Sequence, residues 1–280
     1  MKLKWKRFSF DFTQRTYIMG ILNVTPDSFS DGGVYFDKEK AVEHALRMQE
    51  EGADIIDIGG ESTRPGAKAV TLKEEIKRVV PVIEALAKKV SIPISIDTYK
   101  SEVADAAISA GASIVNDISG LRFDKRMPKV AARHKTPVVI MHIKGTPKNM
   151  QKNPSYTALI PEILDYLTES IAIARDAGIP DEMIIIDPGI GFGKTLEHNL
   201  EILNRLHEFR GFEKPILIGP SRKAFIGMTL GGLPAEERIE GTASAVAIGI
   251  FNGANIIRVH DVKAMNRVAK VADAVIRESA

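Results

Sequence analysis

The 280-residue sequence predicts an α/β fold, namely a (β/α)8 TIM barrel with a short N-terminal extension at residues 1–16. Short runs rich in Ile and Val alternate with longer amphipathic segments, which is the pattern of parallel βαβ units. Eight such units follow the extension, and eight in roughly 250 residues is the size of this barrel. No break in composition suggests a linker, so residues 1–280 are predicted to form a single domain. The alternative, a doubly wound open sheet, usually carries G-x-G-x-x-G after its first strand, where this sequence has "ILNVTPDSF".

The predicted strands are short and mostly show no alternation of polar and apolar residues. This pattern is typical of strands that are buried on both faces. The basic segment "MKLKWKRFSFDFTQR" precedes them and is predicted to cover the N-terminal end of the barrel. In chain order the strands are Tyr17–Leu22, Asp54–Ile58, Ile94–Ile96, Ser113–Val115, Pro137–Met141, Met183–Ile186, Pro215–Ile218 and Ala254–Val259.

Amphipathic segments between these strands predict helices with recognisable ends. Asp37 is the predicted N-cap of the first helix, and Thr71 with Glu74 forms a predicted capping box at the second. Glycines mark several helix ends, as is common where the chain leaves a helix in a left-handed conformation. The predicted segments are 37–52, 71–90, 98–111, 156–178, 234–253 and 261–280.

Charge and cysteine content exclude several classes of function. The chain has 38 basic and 36 acidic residues, a formal net charge of +2 and no long block of like charge, so no nucleic-acid partner is expected. It has no cysteine, which excludes disulfides, thiolate catalysis and Cys-based metal sites. Because no apolar run is long enough for a membrane span and none follows the basic N-terminus, no membrane partner is expected and a cytoplasmic location is predicted.

Polar residues stand at the end of every predicted strand, where a barrel of this type builds its active site. Asp97, Asn116 and Asp187 each close an apolar run and are predicted to point into one pocket. Carboxylate and amide groups suit a heterocycle with an amino–imino edge, because a carboxylate accepts two parallel N–H bonds. Each residue alone could equally be a satisfied buried polar group, but together they predict a base-like or pterin-like pocket.

A second group of residues at strand ends can bind an anion. Arg258 and His260 lie two residues apart and therefore share one face of their strand. Arginine binds phosphate through two parallel hydrogen bonds, whereas lysine acts as a point charge. A single arginine could form a surface ion pair, but the whole set indicates phosphate or pyrophosphate: Thr63, Arg64, Ser221, Lys223, Arg258 and His260.

The segment "DPGIGFGK" is a glycine-rich turn between a strand and a helix, and it does not match the spacing of a P-loop. Its glycines, Gly189, Gly191 and Gly193, are predicted to serve backbone turns and close packing against a flat ligand. His142 follows another strand, and its role stays open between structural and functional.

With these motifs in place, the sequence resembles the dihydropteroate synthase family, the folate-pathway enzymes that sulfonamide drugs inhibit. Two stretches, "ILNVTPDSFSDGG" and "IIDIGGESTRPG", carry the resemblance most specifically. The segments "ISIDTYK", "VNDI", "MHIKGTPKNMQ", "DPGIGFGK", "SRK" and "RVHD" follow in order, so the match runs from about Tyr17 to the last helix. The family has a (β/α)8 barrel and usually forms homodimers, and the resemblance implies both for this chain.

The resemblance also implies roles for particular residues. Pterin binding is implied for Asp97, Asn116, Ile118, Met141, Asp187, Phe192, Gly219 and Lys223, with Ile118, Met141 and Phe192 as apolar walls. Pyrophosphate binding is implied for Asn23, Arg258 and His260, and Asn23 is also the implied ligand of Mg²⁺, the expected cofactor. The implied p-aminobenzoate site comprises Phe29, Thr63, Arg64, Pro65, Ser221 and Lys223. The implied catalytic residues are Asn23, Asp31, Asp187 and Lys223.

The implied reaction joins 6-hydroxymethyl-7,8-dihydropterin pyrophosphate to p-aminobenzoate and releases pyrophosphate. An arylamine is a neutral nucleophile at neutral pH, so the harder task is to stabilise the charge on the leaving group. The electron-rich dihydropterin supports a cationic carbon and buried Asp187 would favour it, so a dissociative, SN1-like path is expected. Such a cation must be shielded from water, and the loop Thr25–Gly33, with Gly32 and Gly33 as hinges, is expected to act as a lid.

Two other functions stay open for the sequence. A methyltetrahydrofolate-dependent methyltransferase has a similar pterin-binding barrel but releases no pyrophosphate, so it does not need the anion-binding set. A non-catalytic pterin-binding or regulatory protein would keep the pocket, but its loops would be expected to erode, and "NVTPDSFSDGG" and "ESTRPG" are both intact.

Overall fold

The computed structural model describes residues 1–25, 33–63, 66, 67 and 69–278, and the side chains of the same residues apart from 33–37. In this part of the chain an N-terminal hairpin precedes eight parallel strands, which form the predicted (β/α)8 barrel. The strands are β1 (Lys2–Trp5), β2 (Phe8–Asp11), β3 (Tyr17–Asn23), β4 (Ile55–Gly59), β5 (Ile94–Asp97), β6 (Ile114–Asp117), β7 (Val138–Met141), β8 (Ile184–Asp187), β9 (Leu217–Ile218) and β10 (Ile256–Val259).

Strand order in the barrel follows the sequence. Strands β3 to β8 pair one after the other, and β10 lies between β3 and β9. A parallel bridge between Ile186 and Ile216 joins the two ends of the sheet and closes the barrel. Each of the eight predicted strands corresponds to an observed one, with ends that agree to within two residues.

Helices surround the barrel and bury their apolar faces against its strands. Those in the described part of the chain are α1 (Gly33–Glu50), α2 (Leu72–Leu86), α3 (Ser101–Ala110), α4 (Met127–His134), α5 (Leu159–Asp176), α6 (Leu196–Asn204), α7 (Ala224–Thr229), α8 (Ile239–Phe251) and α9 (Val262–Arg277). Helices α4, α6 and α7 had no predicted counterpart, because with 8, 9 and 6 residues they are too short to show helical periodicity.

Two predicted helix starts have different outcomes. Helix α1 begins at Gly33, one turn earlier than predicted, so Asp37 lies inside it and the prediction of Asp37 as N-cap is wrong. Thr71 is the N-cap of α2, since its side chain accepts the N–H of Glu74 at 3.3 Å. The Glu74 carboxylate accepts from Arg78 Nε at 3.0 Å, so only the N-cap half of the predicted capping box is confirmed. The helix then continues through Pro81 to Leu86.

The hairpin formed by β1 and β2 lies under the N-terminal end of the barrel. Leu3, Trp5, Phe10 and Phe12 are buried there, and the Phe10 ring stacks on Tyr17 with centroids 4.2 Å apart. They form one apolar cluster with inward-facing strand residues, which are Met19, Ile55, Ile114, Val139, Ile185, Leu217 and Ile256. Apolar side chains therefore fill this end of the barrel.

The opposite, C-terminal end of the barrel is polar inside. Side chains alternate along a strand, so the residue two positions after an inward apolar residue also faces inward. At this level the strands carry Asp57, Asn116, Asp187 and Arg258, each two positions after a member of the apolar cluster.

Over the described residues, no helix is long and apolar enough to cross a membrane.

Candidate active site

Acidic and amide side chains line the inner face of the barrel at its C-terminal end. Asp97 ends β5, Asn116 lies on β6 and Asp187 ends β8. Asp97 and Asn116 are partners in the register of β5 and β6. Asn116 and Asp187 are buried, and only 9% of the Asp97 side chain is exposed. The three residues predicted to bind a heterocycle therefore share one end of one barrel.

Arg258 on β10 connects the acidic residues of this cluster. Its Nε donates to Asp57 Oδ2 and its Nη2 donates to Asp97 Oδ2, both at 2.6 Å. Asn116 Nδ2 donates to the same Asp57 oxygen at 3.0 Å. Asp57 is fully buried and was not assigned a role from the sequence. The sequence could have indicated a role for Asp57, because an acidic residue inside the apolar run "IIDIG" must be paired to offset the cost of burying its charge.

Burial and ion pairing change the protonation of this network. Burial raises the pKa of Asp97 to about 7, although the charge of Arg258 opposes the shift. Burial also acts against the charge of Arg258, but Asp57 and Asp97 outweigh it and raise the pKa of Arg258. Arg258 is therefore a permanent cation, whereas Asp97 changes its charge near neutral pH.

Lys223 supplies a second cation to the same space. Its Nζ donates to the carbonyl oxygen of Ile190 and lies 4.5 Å from the centre of the Phe192 ring. Burial lowers the pKa of Lys223 to about 8, and the charge of Asp187 opposes that shift. Burial raises the pKa of Asp187, offset by the Gly189 N–H, which lies 2.7 Å from Oδ1, and by the charge of Lys223. Lys223 and Asp187 therefore stabilise each other's charged forms.

The glycine-rich turn after β8 leaves room for these groups. Gly189, Gly191 and Gly193 have positive φ angles of 73°, 82° and 65°. A β-carbon on Gly189 would lie 1.9 Å from the carbonyl oxygen of His142, and one on Gly191 would lie 2.7 Å from Lys223 Cδ. Backbone conformation and close packing therefore require glycine here. Contact of this turn with a flat ligand stays a prediction.

The apolar residues predicted as pocket walls lie next to one another. Ile118 and Met141 belong to a buried cluster with Ile143 and Met150, and Phe192 packs against that cluster. Because Phe192 also contacts Lys223, the apolar surface adjoins the charged one.

The residues predicted to bind an anion meet where β9 and β10 end. Ser221 Oγ lies 3.0 Å from His260 Nδ1 and accepts the backbone N–H of His260 at 3.2 Å. Arg258 lies two residues before His260. A β-carbon on Gly219, which follows β9, would lie 3.7 Å from Arg258 Cβ, an ordinary contact distance. Ser221, Arg258 and His260 are therefore neighbours, as a shared anion site requires.

Asn23 ends β3 beside the network of Arg258. A β-carbon on Gly59 would lie 3.8 Å from Asn23 Oδ1 and 3.7 Å from Asp97 Oδ2, so both oxygens border the same space. Within the described ranges, no three His, Cys, Asp or Glu side chains come together as a metal site. The oxygens of Asn23 and Asp97 could hold Mg²⁺ if water and a substrate phosphate supplied its other ligands, and Mg²⁺ binding stays a prediction.

Four predicted site residues lie outside the described part of the chain: Phe29, Asp31, Arg64 and Pro65. Most of the predicted lid, Thr25–Gly33, lies outside it as well. Thr63 is described and half-buried, four residues after the end of β4. The roles of these residues stay predictions.

Two further buried side chains beside the pocket had no role assigned from the sequence. Lys194 Nζ lies 2.8 Å from His142 Nδ1 and donates to the carbonyl oxygen of Phe192 at 3.0 Å. Burial lowers the pKa of both groups, and the charge of Lys194 lowers that of His142 further. His142 is therefore neutral and supports the turn that carries Phe192. The sequence could have indicated a role for Lys194 by its position at the end of that glycine-rich turn.

Known proteins resemble this chain over nearly its whole length. The model of the pterin binding enzyme family matches residues 19–260. The dihydropteroate synthase of Bacillus subtilis (strain 168) is 51% identical over 273 residues, which are 98% of this chain and 93% of that protein. The structure of Yersinia pestis dihydropteroate synthase with a sulfonamide drug complex has a TM-score of 0.93 and 43% identity, covering all of both chains. That of the Xanthomonas albilineans enzyme in complex with 7,8-dihydropteroate has a TM-score of 0.88 and 39% identity, covering 98% of each chain.

Proposed function

The chain belongs to the dihydropteroate synthases, transferases of folate synthesis within the pterin-binding enzyme family, and from this premise we propose its substrates and mechanism. It joins 6-hydroxymethyl-7,8-dihydropterin pyrophosphate to p-aminobenzoate, forming 7,8-dihydropteroate and releasing pyrophosphate. The observation that carries the proposal is the buried cluster at the C-terminal end of the barrel, where Arg258 donates to Asp57 and Asp97, and Asp187 and Lys223 stabilise each other's charged forms. The relative solved with 7,8-dihydropteroate supports the product.

The pterin half of the substrate binds among the buried polar residues. Asp97 and Asp187 accept N–H bonds from its amino–imino edge, because a carboxylate accepts two parallel bonds. Asn116, already oriented by Asp57, offers its amide oxygen. Met141 and Ile118 cover the ring faces, as their place in one apolar cluster allows.

The leaving group binds on the side of β9 and β10. Ser221, His260 and Arg258 lie together there and can hold the pyrophosphate by hydrogen bonds and charge. Asn23 would hold Mg²⁺ with water and phosphate oxygens, and the ion would neutralise charge on the departing pyrophosphate. Each of these contacts strengthens as negative charge develops on the leaving oxygen.

Bond cleavage precedes attack in the proposed mechanism. The bond between the pterin methylene carbon and the pyrophosphate oxygen breaks, and the electron pair leaves with the pyrophosphate. The buried carboxylate of Asp187 stabilises the cationic pterin electrostatically, because its charge acts in a site shielded from water. The amine nitrogen of p-aminobenzoate then forms the new carbon–nitrogen bond and loses one proton. This is the SN1-like path expected from the sequence.

The p-aminobenzoate site is proposed to lie beside Lys223 and Ser221. Thr63 contributes from the segment after β4, and the sequence adds Phe29, Arg64 and Pro65 from outside the described residues. Asp31, in the same undescribed loop as Phe29, is proposed to face the cationic intermediate. Since the Yersinia pestis relative was solved with a sulfonamide drug, we expect sulfonamides to compete at this site.

One assay tests the proposed function. Pyrophosphate release is measured with the pterin substrate, with and without p-aminobenzoate and Mg²⁺, and release that needs all three supports the proposal. No release under any condition would favour a non-catalytic pterin-binding protein, and methyl transfer from methyltetrahydrofolate would favour the methyltransferase.

The mechanism is tested by Asp187→Asn, which should lower turnover by at least ~10²-fold, the usual scale for one preorganised electrostatic group. Asp165→Asn, at an exposed residue of α5, is the matched control and should keep turnover. If Asp187→Asn turned over at close to the rate of the unmodified enzyme, the SN1-like path with Asp187 stabilising the cationic pterin would be contradicted.

A homodimer is the proposed assembly. Helices α8 and α9 pack side by side, and they expose Ile248, Phe251, Val271 and Val275. Phe251 is 68% exposed and Val271 67%, unusual for such apolar side chains on adjacent helices. A second copy of the chain would cover this surface. The cytoplasmic location stays a prediction of the sequence.

A further inference from the structure

One lysine holds both ends of the segment that connects β4 with α2. Lys100 Nζ donates to Glu61, near the start of residues 60–71, and to the carbonyl oxygen of Val70, near their end, at 2.7 Å. It also donates to Glu75 Oε2 on α2 at 2.5 Å. Burial opposes the charge of Lys100, but the bonds to Glu61 and Glu75 outweigh it and raise the pKa of Lys100. The lysine is therefore charged, and its three contacts form at once.

The groups around Lys100 are themselves held in place. The Tyr99 hydroxyl donates to Glu61 Oε1 at 2.8 Å, and Thr98 Oγ1 donates to Glu75 Oε1 at 2.8 Å. Glu75 is only 1% exposed and the Glu61 side chain 9%. Bonds to charged groups are strong where water is excluded, so this cluster restrains Glu61 and Val70, near the two ends of the connection.

Residues 97–100 connect this cluster to the pterin side of the site. Asp97 ends β5 and meets Arg258, while Lys100 precedes the first residue of α3. Between them, Tyr99 packs against the apolar cluster that contains Ile118 and Met141. A rigid strand end therefore carries both the pterin carboxylate and the lysine that binds the connecting segment.

We propose that Lys100 is a positioning residue for the second substrate: it holds Glu61 and Val70 in place so that Thr63, two residues after Glu61, faces p-aminobenzoate. This inference rests on the proposed function, which assigns Thr63 to that site. Lys100 touches no substrate in this proposal, and its role is to set the position of Thr63, which does. Loss of the contact should weaken binding of p-aminobenzoate and leave binding of the pterin substrate unchanged.

The primary test is Glu61→Gln, which removes one charged contact and leaves the bond between Lys100 and Glu75. We expect KM for p-aminobenzoate to rise about 10-fold, the effect of losing one charged hydrogen bond. KM for the pterin pyrophosphate should stay within about 2-fold, the scatter of a neutral substitution. Lys100→Met should raise KM for p-aminobenzoate further, and Lys100→Arg, which can still bridge two carboxylates, should restore most of it. Lys77→Met, at an exposed lysine on α2, is the matched control and should change neither KM.

The outcomes separate this inference from the proposed function. If the unmodified enzyme releases no pyrophosphate in response to p-aminobenzoate, the proposed function fails. If it does, but Glu61→Gln keeps the KM for p-aminobenzoate or raises both KM values equally, the positioning role is refuted. Thermal unfolding of each variant shows whether it is folded, and a folded Lys100→Met with an unchanged KM for p-aminobenzoate also overturns the inference.

Discussion

Asp57 is the site residue whose removal should be most informative, because it bonds to two neighbours that the sequence already implicated. In Asp57→Asn the charge is lost, and the new amide can accept from Arg258 Nε or from Asn116 Nδ2 but cannot balance the guanidinium. Breaking a fully buried ion pair costs about 3–5 kcal/mol. Arg258 keeps its bond to Asp97 at 2.6 Å and is 19% exposed. We therefore expect a smaller loss of folding stability, about 2–3 kcal/mol. That cost falls on the stability of the folded protein; misplacement of Arg258 and Asn116 should in addition lower kcat/KM for the pterin substrate by roughly 100-fold.

The assay is steady-state release of pyrophosphate at saturating p-aminobenzoate with the pterin substrate varied. The matched control is Asp105→Asn, which breaks an ion pair between α3 and Arg133 of α4, where the two side chains are 42% and 61% exposed. The control should lower stability slightly and keep kcat/KM, because exposed pairs contribute about 1 kcal/mol or less. Urea unfolding of both variants shows that the protein is folded. A folded Asp57→Asn enzyme with kcat/KM within about 3-fold of the original would refute the reasoning that Asp57 orients Arg258 and Asn116.

Three further predictions follow from the same structure. The pH profile of kcat/KM should be bell-shaped. Its acid limb should lie near pH 7, because Asp97 loses its negative charge below its pKa. Its basic limb should lie near pH 8, because Lys223 loses its positive charge above its pKa. The acid limb should be absent from the residual activity of Asp97→Asn, and its persistence would contradict the assignment. Gly191→Ala should lower kcat/KM about 10-fold or more, because the added carbon meets Lys223 at 2.7 Å and the positive φ of 82° disfavours it; Gly211→Ala, where a β-carbon meets no neighbour, is the control. Phe251→Asp should shift the proposed dimer to monomer in sedimentation, and a monomeric unmodified protein would rule out that interface.

Barrel strands were predictable because burial on both faces leaves apolar runs whose ends are polar, and all eight were found. The short helices were not predictable, since α4, α6 and α7 have too few turns to show a periodic pattern of apolar residues. Thr71 was predictable as a cap because capping is local. The start of α1 was wrong, as nothing in the spacing of its apolar residues marks the extra turn before Asp37. The position of the β1–β2 hairpin depends on an apolar surface that exists only when the barrel has closed.

The sequence by itself determined the fold class, the family and the end of the barrel that holds the site, because period, strand-end chemistry and motif order are properties of neighbouring residues. Tertiary structure alone decided the pairings. Arg258 meets Asp57 across 201 residues of chain and Asp97 across 161, and Lys100 joins Glu61 to Val70. The physical reason is that charge pairs are set by distance in space, which follows from barrel closure and strand register. The sequence indicated that Arg258 binds an anion, and the structure adds that two carboxylates of the same barrel hold its guanidinium in position.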